Sequence, residues 1–405
     1  MDKLRIFVGD QLAGHLSRSG HTHRFEYLPE YAGPPAFLGW NTARKHREWD
    51  AFPPAFDGLL PEGVLLDQLL AKYKLDRADK WRQLVAVGQD LTGFISVLPE
   101  DTGEPISKIA PGTPPQKRVP IYPPENGLPY TTTALVAYYG RNRLKMSISG
   151  IQPKVSAIYS RTESCFKVVE LNGSYILKPS PQAFPSAAEN EALTMQLATA
   201  AGIEVPHCGW IRTKDGQGVF WIERFDRWGV GNRNRVRCED ACQILEVPSS
   251  WKYAGNLETL ARMIREHCSN PRLQLVKLFQ RVLFCWVTGN GDMHLKNWSL
   301  IERGPLIELS PAYDLLNTKI LIDDEDESAI ALNERNSGFD RQLLVDYFGR
   351  DICGINERMI NKTIQQLAKV DWNSAIRNSH VSDEDRVAYS QLVDERLNCL
   401  AHMGN

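Results

Sequence analysis

The chain has 405 residues, 42% hydrophobic and 24% charged, the balance of a soluble globular protein long enough for two or three domains. Lys+Arg 47 against Asp+Glu 49 gives a net charge of -2, which excludes a global basic field drawing the molecule to nucleic acid or a membrane. There is no membrane-length apolar run, no export-signal core after Met1-Asp2-Lys3-Leu4-Arg5 and no Cys-x-x-Cys among the 8 cysteines, so a cytoplasmic protein with reduced core thiols is expected.

Residues 1–110 read as an α/β subdomain. Leu4 to Asp10 and the run from Leu12 form a strand, a turn and a return, and Phe25-Glu26-Tyr27 a further strand. A compact loop, Pro53 to Gly63, leads into helical segments around 64–74 and 76–88. His21 and His23, two apart in a polar loop, read as solvated rather than as metal ligands. Residues 111–130 are proline-rich and read as a linker.

Residues 131–238 read as a β-rich unit. A small-residue loop, Ser147 to Lys154, enters the strand Val155 to Tyr159. Phe166–Leu171 and Tyr175–Leu177, joined by Asn172-Gly173, read as a two-residue-turn hairpin with Lys178 at its end. Ser186-Ala187-Ala188-Glu189 has the form of a capping box, opening a helix with Glu189 and Glu191 near its start and Leu193, Leu197 and Ala201 on its buried face. Val219 to Ile222 is a buried strand running into Glu223-Arg224-Phe225-Asp226-Arg227. The arginines Arg227, Arg233, Arg235 and Arg237 form the one local basic cluster, read as a solvated loop with DNA phosphate or an acidic partner as the alternative.

Residues 239–405 read as mainly helical. Cys238 and Cys242, four apart, could share a helix face, and the acidic run Asp323 to Glu327 reads as a solvated loop. From Asn270-Pro271 a long helix buries Leu275, Leu278, Phe279, Val282 and Trp286, and Gly289 breaks it. The loop that follows, Gly289-Asn-Gly-Asp-Met-His-Leu-Lys-Asn297, suits phosphoryl transfer. Asp292 can accept a proton from an incoming hydroxyl, and Asn297, five positions on, can offer an amide oxygen to magnesium. Lys296 could neutralise phosphate charge, and Asp314 in Pro311-Ala-Tyr-Asp-Leu315 is the candidate downstream metal ligand.

The order of small-residue loop, strand lysine, helix carboxylate, buried strand and Asp-x-x-x-x-Asn loop fits a kinase. The matching motifs are Phe56–Gly63, Ser149-Gly150-Ile151-Gln152-Pro153-Lys154, Ile176–Pro179, Glu223–Arg227, Asn290–Asn297 and Leu309–Leu315. With them the chain resembles the HipA family, bacterial Ser/Thr kinases that are the toxin halves of type II toxin–antitoxin modules. The resemblance implies an α+β, protein-kinase-like two-lobed fold with an N-terminal α/β subdomain, a small β-rich lobe and an all-helical C-terminal lobe.

It further implies ATP and Mg2+ as cofactors, with Asp292 as catalytic base and Asn297 and Asp314 as metal ligands. Lys178 would bind phosphate, Ser149 to Lys154 would cover the phosphates, and Glu223, Arg224 and Phe225 would border the adenine. His294, Leu295, Lys296 and Tyr313 would complete the nucleotide site. Ser147 and Ser149 would be the autophosphorylated positions that switch the kinase off. A separate helix-turn-helix antitoxin (HipB-like) bound to operator DNA would be the partner, and an aminoacyl-tRNA synthetase the growth-inhibiting substrate. A co-repressor acting mainly with its antitoxin, and a kinase of this fold acting on a small molecule, are the alternative readings.

Overall fold

A computed structural model describes residues 2–103, 110–111, 121, 127–137, 152–170, 172–229, 232, 234–322 and 326–401. Five antiparallel strands open the chain: β1 (Asp2–Val8), β2 (Gln11–Ser19), β3 (Thr22–Tyr27), β4 (His46–Trp49) and β5 (Ile95–Pro99), in the order β4-β3-β2-β1-β5. Leu4 and Ile6 of β1, Leu16 of β2 and Phe25 of β3 turn to one face. There they meet Phe56 of the Pro54–Asp57 helix and Trp81 and Leu84 of the Lys80–Val87 helix in a single cluster. A third helix, Gly63–Tyr73, lies between these two in sequence. His23 departs from the solvated reading. It is buried edge-on to Phe52, with ring centroids 5.6 Å apart, and burial lowers its pKa.

After the two-residue strand β6 (Ala110–Pro111), a second antiparallel sheet is built from β7 (Val155–Ser160), β8 (Cys165–Val168), β9 (Tyr175–Pro179), β10 (Cys208–Arg212) and β11 (Gly218–Glu223). Its order is β10-β11-β9-β7-β8, so the expected hairpin between the Phe166 and Tyr175 strands does not form. The tight turn falls earlier, at 161–164 with Ser164 at φ +48°, which pairs β8 with β7 and inserts β7 between β8 and β9. Asn172-Gly173 instead carries the chain past β7. Asn172 takes φ +57°, and a Cβ on Gly173 would stand 2.1 Å from Ser156 Oγ. Asn172 N donates to Asp90 Oδ2 at 2.8 Å, which fixes the crossing to the first subdomain.

The helix Ala187–Ala200 packs on this sheet, but the capping box is not made. Ser186 offers no side-chain cap, and the Ser180 hydroxyl does the work in its place. It accepts from Ala188 N at 2.9 Å and donates to Glu189 Oε2 at 3.3 Å.

The arginine cluster is also unlike its sequence reading. Arg227, Arg235 and Arg237 are buried on or beside the short strands β12 (Arg227–Trp228) and β13 (Asn234–Arg235); Arg233 lies outside the described residues. Asp90 lies 2.6 Å from Arg227 Nη1 and 3.1 Å from Arg235 Nη2, and Asp226 takes a two-pronged bond from Arg224. Burial acts to raise the Asp226 carboxyl, but Arg224 and Arg227 overcome it and hold it far below the usual range. Fully buried guanidiniums are tolerated only with such partners, so this cluster is an internal hub rather than a phosphate-binding surface.

The rest is largely helical: Leu257–His267, Pro271–Val287, Glu357–Ala368, Trp372–Arg377 and Asp383–Ala401, with a π-helix at Gln342–Ile352. A three-stranded sheet interrupts it, β14 (Cys238–Asp240), β15 (Ser299–Arg303) and β16 (Leu306–Leu309). Cys238 therefore sits on a strand and Cys242 on the short helix after it, so they do not share a helix face. The eight cysteines are free and five are buried. Of the acidic run, Asp323, Asp324 and Glu325 lie outside the described residues, and Glu327 pairs with Arg396 at 3.3 Å. No described helix is long and apolar enough to cross a membrane.

Substituting Asp90→Ala should take from Arg227 and Arg235 the anion they share, leaving Arg227 with Asp226, and reduce stability by about 3–5 kcal/mol, read from the urea midpoint. A loss below about 1 kcal/mol, the scale of an exposed pair, would show that these side chains are hydrated.

Candidate active site

The Pro271–Val287 helix delivers the central loop. Asn270 caps its start, with Oδ1 accepting from Leu273 N at 3.4 Å, and Phe279, Leu283 and Phe284 anchor it in the core. Gly289 ends it at φ +70°, where a Cβ would stand 2.5 Å from Leu392 Cδ2 and 2.7 Å from Asn317 Oδ1. The backbone angle favours glycine there, and a Cβ would press on the Leu392 and Asn317 side chains.

The loop is then tied at nearly every residue. Gly291 N donates to Thr318 Oγ1 at 2.8 Å, Asp292 N to Asn290 Oδ1 at 3.3 Å, and Asn290 Nδ2 to Asp314 O at 3.4 Å. Asn297 Nδ2 donates to Asp292 O at 2.9 Å, which fixes the spacing between these two side chains and keeps the amide oxygen out of that bond.

Opposite the loop stands Lys178 on β9, buried, with Nζ 2.6 Å from Glu191 Oε1 and in contact with Asp314 Oδ1. Of the two helix carboxylates foreseen, Glu191 is the partner; Glu189 faces Ser180. Burial works against the charge on Lys178, but Asp314 and Glu191 outweigh it and hold the ammonium protonated. Asp314 takes φ +53°, a left-handed conformation that aspartate adopts more readily than most residues. Its second oxygen lies 3.5 Å from Lys154 Nζ, and against burial the two lysines hold its carboxyl far below the ordinary value.

Asp292 behaves oppositely. Burial pushes it up to about 6, resisted by the Tyr253 hydroxyl, which donates to Oδ1 at 3.1 Å, and by Lys252. Two nearby carboxyls are thus driven apart, one kept ionised and one poised to take a proton near neutrality.

His294 is buried, with both ring nitrogens lacking a hydrogen-bond partner, and burial with Lys252 lowers it to about 3, so the ring is neutral. Lys296 lies 2.9 Å from Glu62 Oε1 and 3.6 Å from Asp240 Oδ2, and donates to Gly58 O at 3.1 Å. Glu62 also meets Lys252 at 2.9 Å, and against burial the two lysines bring it down to about 2.

Glu62, Lys178, Lys252, His294, Lys296 and Asp314 border a cavity of about 330 Å³. Ile176, Ile222, Phe225 and Tyr313 give it apolar walls, with the Phe225 and Tyr313 rings 5.8 Å apart. Lys154, Lys178, His294, Lys296, Asn297 and Asp314 make the other end polar. Glu223 and Arg224 border it as well, though the Arg224 guanidinium is committed to Asp226. A smaller adjoining hollow of about 20 Å³ gathers Gln152, Glu191 and Asp292 with Lys154, Lys178, Asn297 and Asp314.

Pro153 and Leu295 do not line either space. Pro153 is buried, and Leu295 belongs to the core and packs beside Gly255. Ser147, Ser149, Gly150 and Ile151 lie outside the described residues. The sequence reading gave no site role to Glu62, Asp240, Lys252 or Tyr253. The signal for Glu62 was its place in the Phe56–Gly63 motif, but its partner Lys252 is 190 residues away.

An adenine-sized base against the apolar walls and phosphates among the lysines suit this cavity. Asn297 and Asp314 offer the hard oxygen donors magnesium takes. Among the described residues there is no cluster of three or more His, Cys, Asp or Glu that could hold a metal ion.

Fold and site together define a two-lobed protein of the kinase-like class. A sequence model of the HipA-like C-terminal domain matches residues 146–373, and one of the HipA N-terminal domain residues 4–98. The chain belongs to the HipA family. Y4mE of Sinorhizobium fredii, named as a candidate kinase, is 32% identical over 293 residues, 70% of this chain and 68% of that protein. The serine/threonine-protein kinase toxin HipA of Shewanella oneidensis is 28% identical over 331 residues, 77% of this chain and 73% of that one. In fold, the chain is similar to one in the solved Shewanella oneidensis complex of HipA, HipB and operator DNA. The TM-score is 0.67 at 20% identity, covering 98% of this chain and 96% of the other.

Gly289→Ala should force the loop out of place and destabilise the protein by about 1–3 kcal/mol, measured by thermal or urea unfolding. An unchanged midpoint would mean that the left-handed turn is not needed.

Proposed function

We propose that the chain is an ATP-dependent protein Ser/Thr kinase. The observation that carries this reading is the convergence of Lys178, Asn297 and Asp314 on a cavity with apolar walls, with Asp292 and the Lys178 partner Glu191 on the small hollow that adjoins it. In it, Glu223 at the end of β11 and the following Arg224 and Phe225 border the base, and Lys178, steadied by Glu191, meets the phosphates. Asp292 takes the proton of the incoming hydroxyl as the phosphoryl group moves to it. Magnesium, held by Asn297 and Asp314, supplies charge neutralisation on the phosphates when bound.

Family membership and the relative solved with HipB and operator DNA support a biological setting. On this reading the chain is the toxin half of a toxin–antitoxin module. It joins a separate HipB-like helix-turn-helix antitoxin on operator DNA and inhibits growth by phosphorylating a translation component, an aminoacyl-tRNA synthetase in the family pattern. Autophosphorylation of Ser147 or Ser149 would silence it, since a phosphoserine carries close to two negative charges and would repel ATP in the same loop.

With γ-labelled ATP and magnesium, the purified chain should take up label at Ser147 or Ser149. Asp292→Asn should lower the rate by about two to four orders of magnitude. Transfer at wild-type rate by that variant would remove the base from the mechanism.

The base works only as a carboxylate, so turnover should rise with pH through about 6 and level off above it. A profile with no limb in that range would show that Asp292 does not govern the rate.

A further inference from the structure

The segment from Ser249 to Ala254, which the phosphotransfer reading leaves without a task, spans two parts of the molecule. At one end Ser249 N donates to Asp57 Oδ2 at 2.8 Å and its hydroxyl to Asp57 O at 3.3 Å, Asp57 itself being buried in the first subdomain. In the middle, Lys252 Nζ meets Glu62 Oε2 at 2.9 Å. At the other end Leu295 N donates to Lys252 O at 3.0 Å, and the Tyr253 hydroxyl to Asp292 Oδ1 at 3.1 Å. The Tyr253 ring stands edge-on to His294 with centroids 5.2 Å apart.

Burial does not hold this segment. Trp251 is 64% exposed and Tyr253 43%. Polar ties therefore matter to its position, and those to Asp57 and Glu62 are the ones that reach the first subdomain. Glu62 takes Lys252 on one oxygen and Lys296 on the other, each at 2.9 Å. Without that carboxylate two ammonium groups would face each other, and like charges at such range separate.

We propose that Asp57 and Glu62 of the first subdomain are positioning residues for phosphoryl transfer: they fix the strap 249–254, whose Tyr253 hydroxyl orients the Asp292 carboxylate. A carboxylate on a loop can turn about two side-chain bonds. One donor on Oδ1 removes that freedom and leaves Oδ2 to meet the acceptor hydroxyl, and alignment of this kind governs rate far more than binding. The first subdomain thereby enters the chemistry without touching a reacting atom. The inference rests on the kinase reading above.

The test uses the full chain carrying Glu62→Gln, Glu62→Asp and Tyr253→Phe, and the Gln/Phe double variant. Label transfer from γ-labelled ATP into the chain is measured beside thermal midpoints and amide hydrogen exchange. Tyr253→Phe should lower kcat by up to about a hundredfold with KM for ATP nearly unchanged, and Glu62→Gln should lower kcat at saturating ATP to a similar extent. The double variant should be no slower than Tyr253→Phe, because both act along one path. Glu62→Asp, which keeps the charge, should retain more activity than Glu62→Gln, and the Ser249 and Leu295 amides should exchange faster in Glu62→Gln.

Wild-type kcat in Glu62→Gln, a loss that merely tracks a fall in midpoint, or fully multiplicative effects would overturn the proposal. Should Glu62→Gln fail to fold, Tyr253→Phe, which removes one hydroxyl from a partly exposed side chain, decides alone: undiminished kcat refutes the strap. If the wild-type chain takes up no label while the strap amides respond as expected, the kinase reading fails and not the tie itself.

Discussion

Lys178 sits almost without solvent between Glu191 and Asp314, and this grouping sets the terms for the architecture around it. A lone buried ammonium would lose its proton or unfold its surroundings, so the strand that carries it must be met by a carboxylate from a helix and another from a loop. That requirement joins β9, the Ala187–Ala200 helix and the segment around Asp314 at one point. Asp314 reaches it by adopting a left-handed backbone, and Asn290 and Thr318 lock the neighbouring loop to the same segment. The geometry of the cavity is in this sense the solution to an electrostatic problem.

The same physics joins the first subdomain to the rest. Asp90 reaches Arg227 and Arg235, Glu239 accepts from Leu38 N at 2.9 Å, and Glu62 reaches Lys252 and Lys296. Buried ion pairs contribute little net stability compared with apolar packing, but they tolerate no substitute geometry. Apolar faces could slide over one another; these contacts define one docking position.

Local patterns were legible in the sequence. Asn270-Pro271, the period of Leu275, Leu278, Phe279 and Val282, and the break at Gly289 describe a real helix and the loop it delivers. The spacing of Asp292 and Asn297 also survives, because one hydrogen bond inside the loop enforces it. Strand pairing was less legible. Asn172-Gly173 has the residues of a hairpin turn, yet the turn at 161–164 pairs β8 with β7, and no local signal ranks two competing turns. The arginines at 227 and 235 read as surface because the anion they share is distant in sequence, Asp90 being 137 residues from Arg227. Glu62 and Tyr253 were hidden for the same reason.

The Asn172-Gly173 crossing bears on how the small sheet can vary. Since β7 lies between the strands it joins, this link runs over packed backbone, with Gly173 pressed on Ser156 and Asn172 tied to Asp90. A peptide inserted there would have to lift the strand beneath it. The 161–164 turn, whose residues are exposed, has no such load above it. Length variation and engineered grafts should therefore be accommodated at the second turn and excluded from the first, although the first has the residues that usually mark a permissive site.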